Sequence, residues 1–193
     1  MLDIYRWWTE YPIKKKRYQM TQRVWDSFLT EQDKAHLALT GRKPVGFGEN
    51  PALLLVDLYR WVFGDDPEPL LEAVKTWPSS CGLAAWDAIP HIQTLLKAAR
   101  DAEIPVIHMT GLDGCGVEGW STRKGDRRPV VTDPAAAERR SRQYDIIDEV
   151  TPIDGEAFLR KSSPSAFWGT PLAGHLNYLG VDTLITVGES TSG

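Results

Sequence analysis

An acid, an amine and a small polar loop each end a predicted strand, and together they could activate a nucleophile. Asp57 ends the apolar run "ALLLVD", Lys161 ends "EAFLRK", and the loop "GESTSG" at 188–193 follows "VDTLITV". In an open parallel sheet, the carboxyl ends of the strands meet at one crevice. An acid, an amine and a loop that enters a helix are the parts needed to deprotonate a nucleophile and to hold an oxyanion. The nucleophile itself is not visible among these residues.

The elements that would position these groups predict an α/β fold. Apolar or alternating runs predict four strands, at 52–57, 104–110, 156–161 and 181–188. Helices are predicted at 21–39, from 83 to the second strand, and at 170–180, with Pro90 in the first turns and Pro171 at N1 of their helices. We therefore expect a Rossmann-like, three-layer α/β/α domain with a mainly parallel central sheet. Because the last element is a strand, we also expect further C-terminal strands and helices that this chain lacks.

Composition and charge argue against several classes of protein. The net charge is -4 and the pI is near 5.6, whereas nucleic-acid-binding domains are usually basic. No stretch approaches the ~18 apolar residues that a membrane span needs, and the N-terminus lacks the apolar segment of a signal peptide. Two cysteines provide no disulfide framework. We expect a cytoplasmic protein that binds neither nucleic acid nor membranes.

The chain divides into an N-terminal arm at 1–20 and a main domain at 21–193. The arm is aromatic and basic, and we expect it to pack on a neighbouring subunit. Eight tryptophans also favour a subunit interface, so we expect a homo-oligomer, with a tetramer favoured. The long connection at 111–145 is of the kind that forms a lid, a pocket wall or an interface.

Three stretches resemble the isochorismatase-like cysteine hydrolases. They read "FGENPALLLVDLYRWVFG", "CGLAAWDAIPHIQTLLKAARDAEIPVIHMT" and "LRKSSPSAFWGTPLAGHLNYLGVDTLITVGESTSG". The resemblance runs from about Val24 to Gly193 and is weakest across 111–145. Within the family, the sequence is similar to the N-carbamoylsarcosine amidase and maleamate amidohydrolase group.

The resemblance implies a catalytic triad of Asp, Lys and Cys. Asp57 would accept the thiol proton, Lys161 would lie close to both partners, and the cysteine would follow directly after Gly193. The thiolate would attack an amide or ureido carbonyl, release ammonia and leave a thioester that water resolves. The N–H groups of Ser190 and of the cysteine would hold the oxyanion, with a cis peptide bond between Glu189 and Ser190.

Other residues are candidates for substrate binding, although the aromatic ones could equally be core and the small ones turn residues. The oxyanion and substrate candidates are Glu189, Ser190, Thr191, Phe63, Phe167 and Trp168. An arginine would hold a substrate carboxylate, and the candidates are Arg60, Arg123, Arg127 and Arg128. The implied substrate is a small linear amide or ureido compound, such as an N-carbamoyl amino acid, biuret or maleamate.

We expect no metal and no cofactor. Nicotinamidases of the same superfamily bind their ion through an Asp-x-His pair that this sequence lacks; His91 falls on a predicted helix and His108 in a strand. Cys81 is expected to be a small buried structural thiol, and Cys115 to belong to a pocket wall or an interface. Two alternatives stay open: a hydrolase or binding relative without the cysteine, and an interaction module that uses the arm at 1–20.

Overall fold

The computed structural model describes residues 25–40, 46–111 and 132–190. The predicted arm at 1–20 lies outside these residues, as do Cys115 and most of the long connection. The chain forms two compact units, Met1–Gly46 and Phe47–Gly193.

The first unit contains a 3₁₀ helix, Asp26–Phe28, and helix α1, Glu31–Thr40. Within the described part of the predicted helix at 21–39, the α-helix begins only at Glu31. Thr30 and Asp33 form two hydrogen bonds at the start of α1. The Thr30 Oγ1 accepts from the Asp33 N–H at 3.2 Å, and the Asp33 carboxylate accepts from the Thr30 N–H. This reciprocal pair caps α1 at Thr30.

The second unit is built on four parallel strands in the order β3-β2-β1-β4. The strands are β1, Pro51–Val56; β2, Val106–Gly111; β3, Ala157–Lys161; and β4, Thr183–Gly188. In the register, Leu55 of β1 lies opposite His108 of β2 and Val187 of β4. All four predicted strands are thus present, and the prediction of a parallel sheet is confirmed.

Helices cover both faces of this sheet. They are α2, Arg60–Phe63; α3, Leu70–Thr76; α4, Leu83–Asp101; α5, Pro134–Ser141; and α6, Leu172–Tyr178, with a 3₁₀ helix at Asp148–Val150. Side chains alternate along β1, so that Leu53 and Leu55 share a core with α4 while Leu54 shares one with Leu172 of α6. The three-layer α/β/α architecture predicted from the sequence follows from these two cores.

Helix α4 shows where the proline signals were misleading. Pro90 is the eighth residue of the helix and not part of its first turns, so it removes a backbone donor from the helix interior. The helix continues because Ile89, Leu96 and Ala99 are buried against the sheet. Pro171 is likewise the residue before α6 rather than its first residue. Among the described residues, no helix is both long and apolar enough to cross a bilayer.

An ionic cluster fastens α4 to the edge of the sheet. The Glu156 carboxylate accepts hydrogen bonds from Arg100 Nε at 2.7 Å and from the Ile153 N–H at 3.0 Å, and it lies 2.9 Å from His108 Nε2. Burial alone would raise the pKa of Glu156, but these bonds together lower it to about 2. Burial lowers the pKa of His108, so a neutral ring donates from Nε2 to the carboxylate. His108 is therefore a buried core residue.

Candidate active site

Asp57 and Lys161 form a buried ion pair at the carboxyl ends of β1 and β3. Lys161 Nζ lies 2.8 Å from Asp57 Oδ2, and the two side chains are only 8% and 9% exposed, respectively. Lys161 Nζ also donates to the Ser163 carbonyl at 3.3 Å. The strand order places β2 between these two strands, so the pair spans the end of β2. Sequence reasoning predicted both residues at this edge but not the supporting carbonyl of Ser163.

The backbone at Asp57 is in the left-handed region. Its φ is 60°, which a residue with a Cβ adopts only at a cost, although aspartate tolerates it better than most residues. The Asp57 N–H donates to the Met109 carbonyl at 2.9 Å, which fixes this turn against β2. Strand β1 consequently ends at Val56 rather than at Asp57, and the carboxylate is directed by a strained turn.

The two oxygens of the Asp57 carboxylate are in different environments. Oδ2 is held by Lys161, whereas Oδ1 is buried and has no hydrogen-bond partner among the described residues. Burial raises the pKa of Asp57, the ammonium of Lys161 opposes that rise, and the carboxylate of Glu189 adds to it. Oδ1 is thus a buried acceptor that is available to receive a proton.

The loop after β4 lies directly beside the end of β1. The Glu189 N–H donates to the Val56 carbonyl at 3.1 Å. Gly188 allows this approach, since it has a φ of 143° and a Cβ at this position would overlap the Val56 carbonyl oxygen. The loop after β4 therefore begins in space beside Val56, the residue that precedes Asp57. This proximity is expected because parallel strands end at the same edge of the sheet.

The cis peptide bond expected between Glu189 and Ser190 is absent. The described residues contain no cis peptide bond, and the chain turns instead through the left-handed conformation of Ser190, whose φ is 59°. The Ser190 hydroxyl donates to the carboxylate of Glu189. The prediction of the cis bond was wrong for this structure because a trans bond with positive φ at Ser190 makes the turn. Thr191 lies outside the described residues.

A cavity of about 240 Å³ lies between α2, α4 and this loop. Its wall is apolar except at the loop; the lining residues are Leu58, Val62, Phe63, Cys81, Ala84, Ala85, Ala88, Ile92, Gly188, Glu189 and Ser190. Phe63 is buried here and packs edge-on against Trp86, with ring centroids 5.8 Å apart. Cys81 is half-buried rather than buried, and burial raises its thiol pKa, which keeps it protonated.

Other predicted binding residues lie elsewhere. Phe167 and Trp168 are 49% and 45% exposed, and neither lines the cavity. They follow β3 in a turn, where the backbone N–H of each residue donates to Ser165 Oγ at 3.2 Å. The guanidinium of Arg60 is paired with Asp65 and Asp148 at 3.3 and 3.4 Å. The other three arginine candidates lie outside the described residues.

Sequence reasoning also missed Tyr59. This residue is buried two positions after Asp57, and its ring packs edge-on against that of Tyr144 at a centroid distance of 5.5 Å. Burial and the charges of Asp57 and Glu189 raise the pKa of its hydroxyl. Its position next to a strand-end carboxylate was the only available signal. The described residues contain no group of three or more metal-binding side chains.

The fold and the strand-end site define a member of the isochorismatase family. The family model described as "Isochorismatase domain" matches residues 51–193, so the chain belongs to this family. The resemblance read from the sequence motifs is thereby confirmed.

Two relatives of this chain are named as amide-hydrolysing enzymes. "N-carbamoylsarcosine amidase" from Arthrobacter sp is 27% identical over 165 residues, covering 79% of this chain and 53% of the relative. "Maleamate amidohydrolase" from Pseudomonas putida is 33% identical over 161 residues, covering 77% and 63%. The chain thus spans about half to three-fifths of the length of these curated relatives.

A solved structure shows the same fold. The cysteine hydrolase from Pseudomonas syringae pv. phaseolicola 1448A aligns with a TM-score of 0.57 at 21% sequence identity. The alignment covers 79% of this chain and 66% of that chain. At this identity the likeness concerns the fold alone.

Proposed function

We propose that the protein hydrolyses the C–N bond of a small linear amide or ureido compound and releases ammonia. The observation that carries the proposal is the buried pair of Asp57 and Lys161, with Oδ1 of Asp57 left without a partner beside the loop after β4. The names of the relatives support amide hydrolysis as the broad class of reaction. The nucleophile is the thiol of a cysteine directly after Gly193.

In the first step, Oδ1 of Asp57 takes the thiol proton and the thiolate attacks the carbonyl carbon. Lys161 holds Oδ2, and its positive charge stabilises the ionised forms of both the Asp57 carboxyl group and the cysteine thiol. The carbonyl π electrons move onto oxygen, and the N–H groups of Ser190 and of the cysteine hold the resulting oxyanion.

In the second step, the oxyanion reforms the carbonyl and the C–N bond breaks. The leaving nitrogen takes the proton back from Asp57 and departs as ammonia, which leaves a thioester on the cysteine. Water then gives a proton to Asp57 and attacks the thioester carbonyl. The C–S bond breaks, the departing sulfur takes the proton back from Asp57, and the acid product leaves, so that the thiol and the Asp57 carboxylate are restored. The sum of the steps is an amide plus water giving an acid plus ammonia.

The names of the relatives support a substrate with a small amide or ureido group. N-carbamoyl amino acids, biuret and maleamate all present a small planar amide or ureido group that the thiolate could attack. We further propose that the enzyme is a cytoplasmic homo-oligomer without a metal or other cofactor. Sedimentation of the purified protein would measure its oligomeric state.

The first experiment is intact mass analysis of the full-length protein, with peptide mapping across Gly193 after incubation with iodoacetamide. We expect the alkylated residue to be a cysteine directly after Gly193. Any other residue at that position would exclude the thiol mechanism and favour a non-cysteine hydrolase or a binding relative.

The second experiment measures ammonia release from amide and ureido compounds. Asp57→Asn should reduce kcat/KM by about 10²–10⁴-fold, the usual contribution of a general base. Asp101→Asn is the matched control, because that carboxylate is largely exposed in a surface pair with Lys97 and should leave the rate unchanged. Equal rates for wild type and Asp57→Asn would rule out the proposed role of Asp57.

A further inference from the structure

Glu189 places a carboxylate in the wall of a cavity that is apolar except at the loop after β4. Its backbone N–H is bonded to the Val56 carbonyl, so the residue is fixed beside the end of β1 and the turn at Asp57. Its side chain accepts a hydrogen bond from Ser190 Oγ. Within the part of the chain that the structure describes, no lysine, arginine or histidine forms an ion pair with Glu189.

The charge of Glu189 acts on the whole of this region. Asp57 and Lys161 neutralise one another, and Glu189 is the charged residue among the described residues that line the cavity. Its field reaches Cys81 in the cavity wall and also Asp57 and Tyr59 near the end of β1. Burial is the largest cause of the raised pKa of each group, and the charge of Glu189 adds to each rise. A negative potential confined by apolar walls attracts cations and repels anions.

We infer that Glu189 makes this cavity discriminate within the substrate class proposed above: it favours amide or ureido compounds with neutral N–H donors, such as biuret, or with an ammonium group, over those that carry a carboxylate, such as N-carbamoyl amino acids and maleamate. The inference rests on the proposed function and deepens it by naming the substrate class. The carboxylate of Glu189 would bind the ammonium or N–H end, while the alanine face of α4, from Ala84 to Ala88, leaves room for a short chain. Such a substrate needs no arginine to hold it.

Three ureas of matched length test this selectivity. N-(2-aminoethyl)urea ends in an ammonium, N-propylurea in a methyl group and 3-ureidopropionate in a carboxylate. The wild-type, full-length protein should release ammonia most efficiently from the first and least from the third. Glu189→Gln should lower the ratio of kcat/KM for the cationic over the anionic urea by on the order of tenfold, the scale of one charge interaction in a partly solvated cleft.

Two variants control for the loss of charge and for the loss of shape. Glu189→Asp keeps the charge and should retain the wild-type order of the three ureas. Glu72→Gln removes a carboxylate that is paired with Lys75 on the surface of α3, and it should not change the ratio. Thermal unfolding of each variant would show that the fold is intact, and added salt should lower the wild-type ratio but not that of Glu189→Gln.

Calorimetric binding of the same ureas to the full-length protein separates this inference from the proposed function. If none of them yields ammonia, hydrolysis of these ureas fails, yet a dissociation constant that favours the cation and loses that preference in Glu189→Gln would still support the selectivity. If ammonia is released but Glu189→Gln leaves the ratio unchanged, the selectivity is wrong while hydrolysis stands. A wild-type preference for 3-ureidopropionate would also overturn it.

Discussion

Replacing Lys161 with methionine should destabilise the protein by about 3–5 kcal/mol at neutral pH, the cost of leaving one partner of a buried ion pair alone. Both side chains are less than a tenth exposed, and Nζ lies 2.8 Å from Oδ2, so solvent cannot replace the lost charge at Asp57. Methionine keeps much of the aliphatic stem of lysine and therefore limits the loss of packing.

The destabilisation should grow as the pH rises. Burial raises the pKa of Asp57, and loss of the Lys161 ammonium raises it further. A carboxyl group whose pKa is higher in the folded than in the unfolded state binds a proton more readily when folded, so stability falls with increasing pH from the unfolded value of about 3.9 up to the folded one. Lys161→Met should consequently lose less stability at pH 5 than at pH 8.

Urea denaturation followed by tryptophan fluorescence at pH 5, 7 and 8 measures this effect. The double variant Asp57→Asn with Lys161→Met should recover part of the loss, because no charge is then left buried. Lys97→Met is the control, since Lys97 and its partner Asp101 are 75% and 63% exposed and the loss should stay below about 1 kcal/mol. A loss in Lys161→Met that is equally small and independent of pH would refute the reasoning.

Two further perturbations test the ionic cluster and the close approach of the loop. Because Glu156 has a folded pKa of about 2, acidification should lower the free energy of unfolding by up to about 3 kcal/mol as the pH falls from about 4.5 to about 2. Glu156→Gln should weaken this pH dependence in urea titrations. The same pH dependence in wild type and variant would contradict the role of Glu156. Gly188→Ala should destabilise more than Gly155→Ala, because both residues have positive φ but only at Gly188 would a Cβ meet the Val56 carbonyl. The strain alone costs about 1–3 kcal/mol, and equal losses by thermal unfolding would show that the loop can move away.

Strands β1 and β2 were predictable because their apolar runs reflect burial on both faces, whereas β3 and β4 contain exposed positions. The run at 52–57 differs from β1 by one residue at each end, since the strand starts at Pro51 and the chain leaves the sheet at Asp57. The meeting of Asp57 and Lys161 was also predictable, because parallel order alone brings these strand ends to one edge.

What the sequence did not reveal depends on contacts between distant elements. Helix α1 begins at Glu31 because Thr30 and Asp33 form a reciprocal side-chain pair, which the spacing that predicted a helix over 21–39 does not reveal. The aromatic residues Phe167 and Trp168 suggested a pocket, but their type does not specify which element they pack against. The cavity beside Glu189 arises from the spacing between α4 and the loop, which no local pattern encodes.

The unequal environments of the two Asp57 oxygens connect the stability of the site to its proposed chemistry. A carboxylate paired at both oxygens would be a poor base, and one paired at neither would be protonated in so dry a place. Here Lys161 holds Oδ2 and favours the charged form, while burial and Glu189 favour protonation and Oδ1 stays open. Because these effects on the pKa of Asp57 oppose one another, Asp57 can take a proton from a thiol in the proposed reaction and then give it to the leaving nitrogen. The carboxylate that makes the cavity select for charge would therefore also tune the base, so Glu189→Gln should shift the acid limb of the kcat/KM profile to lower pH.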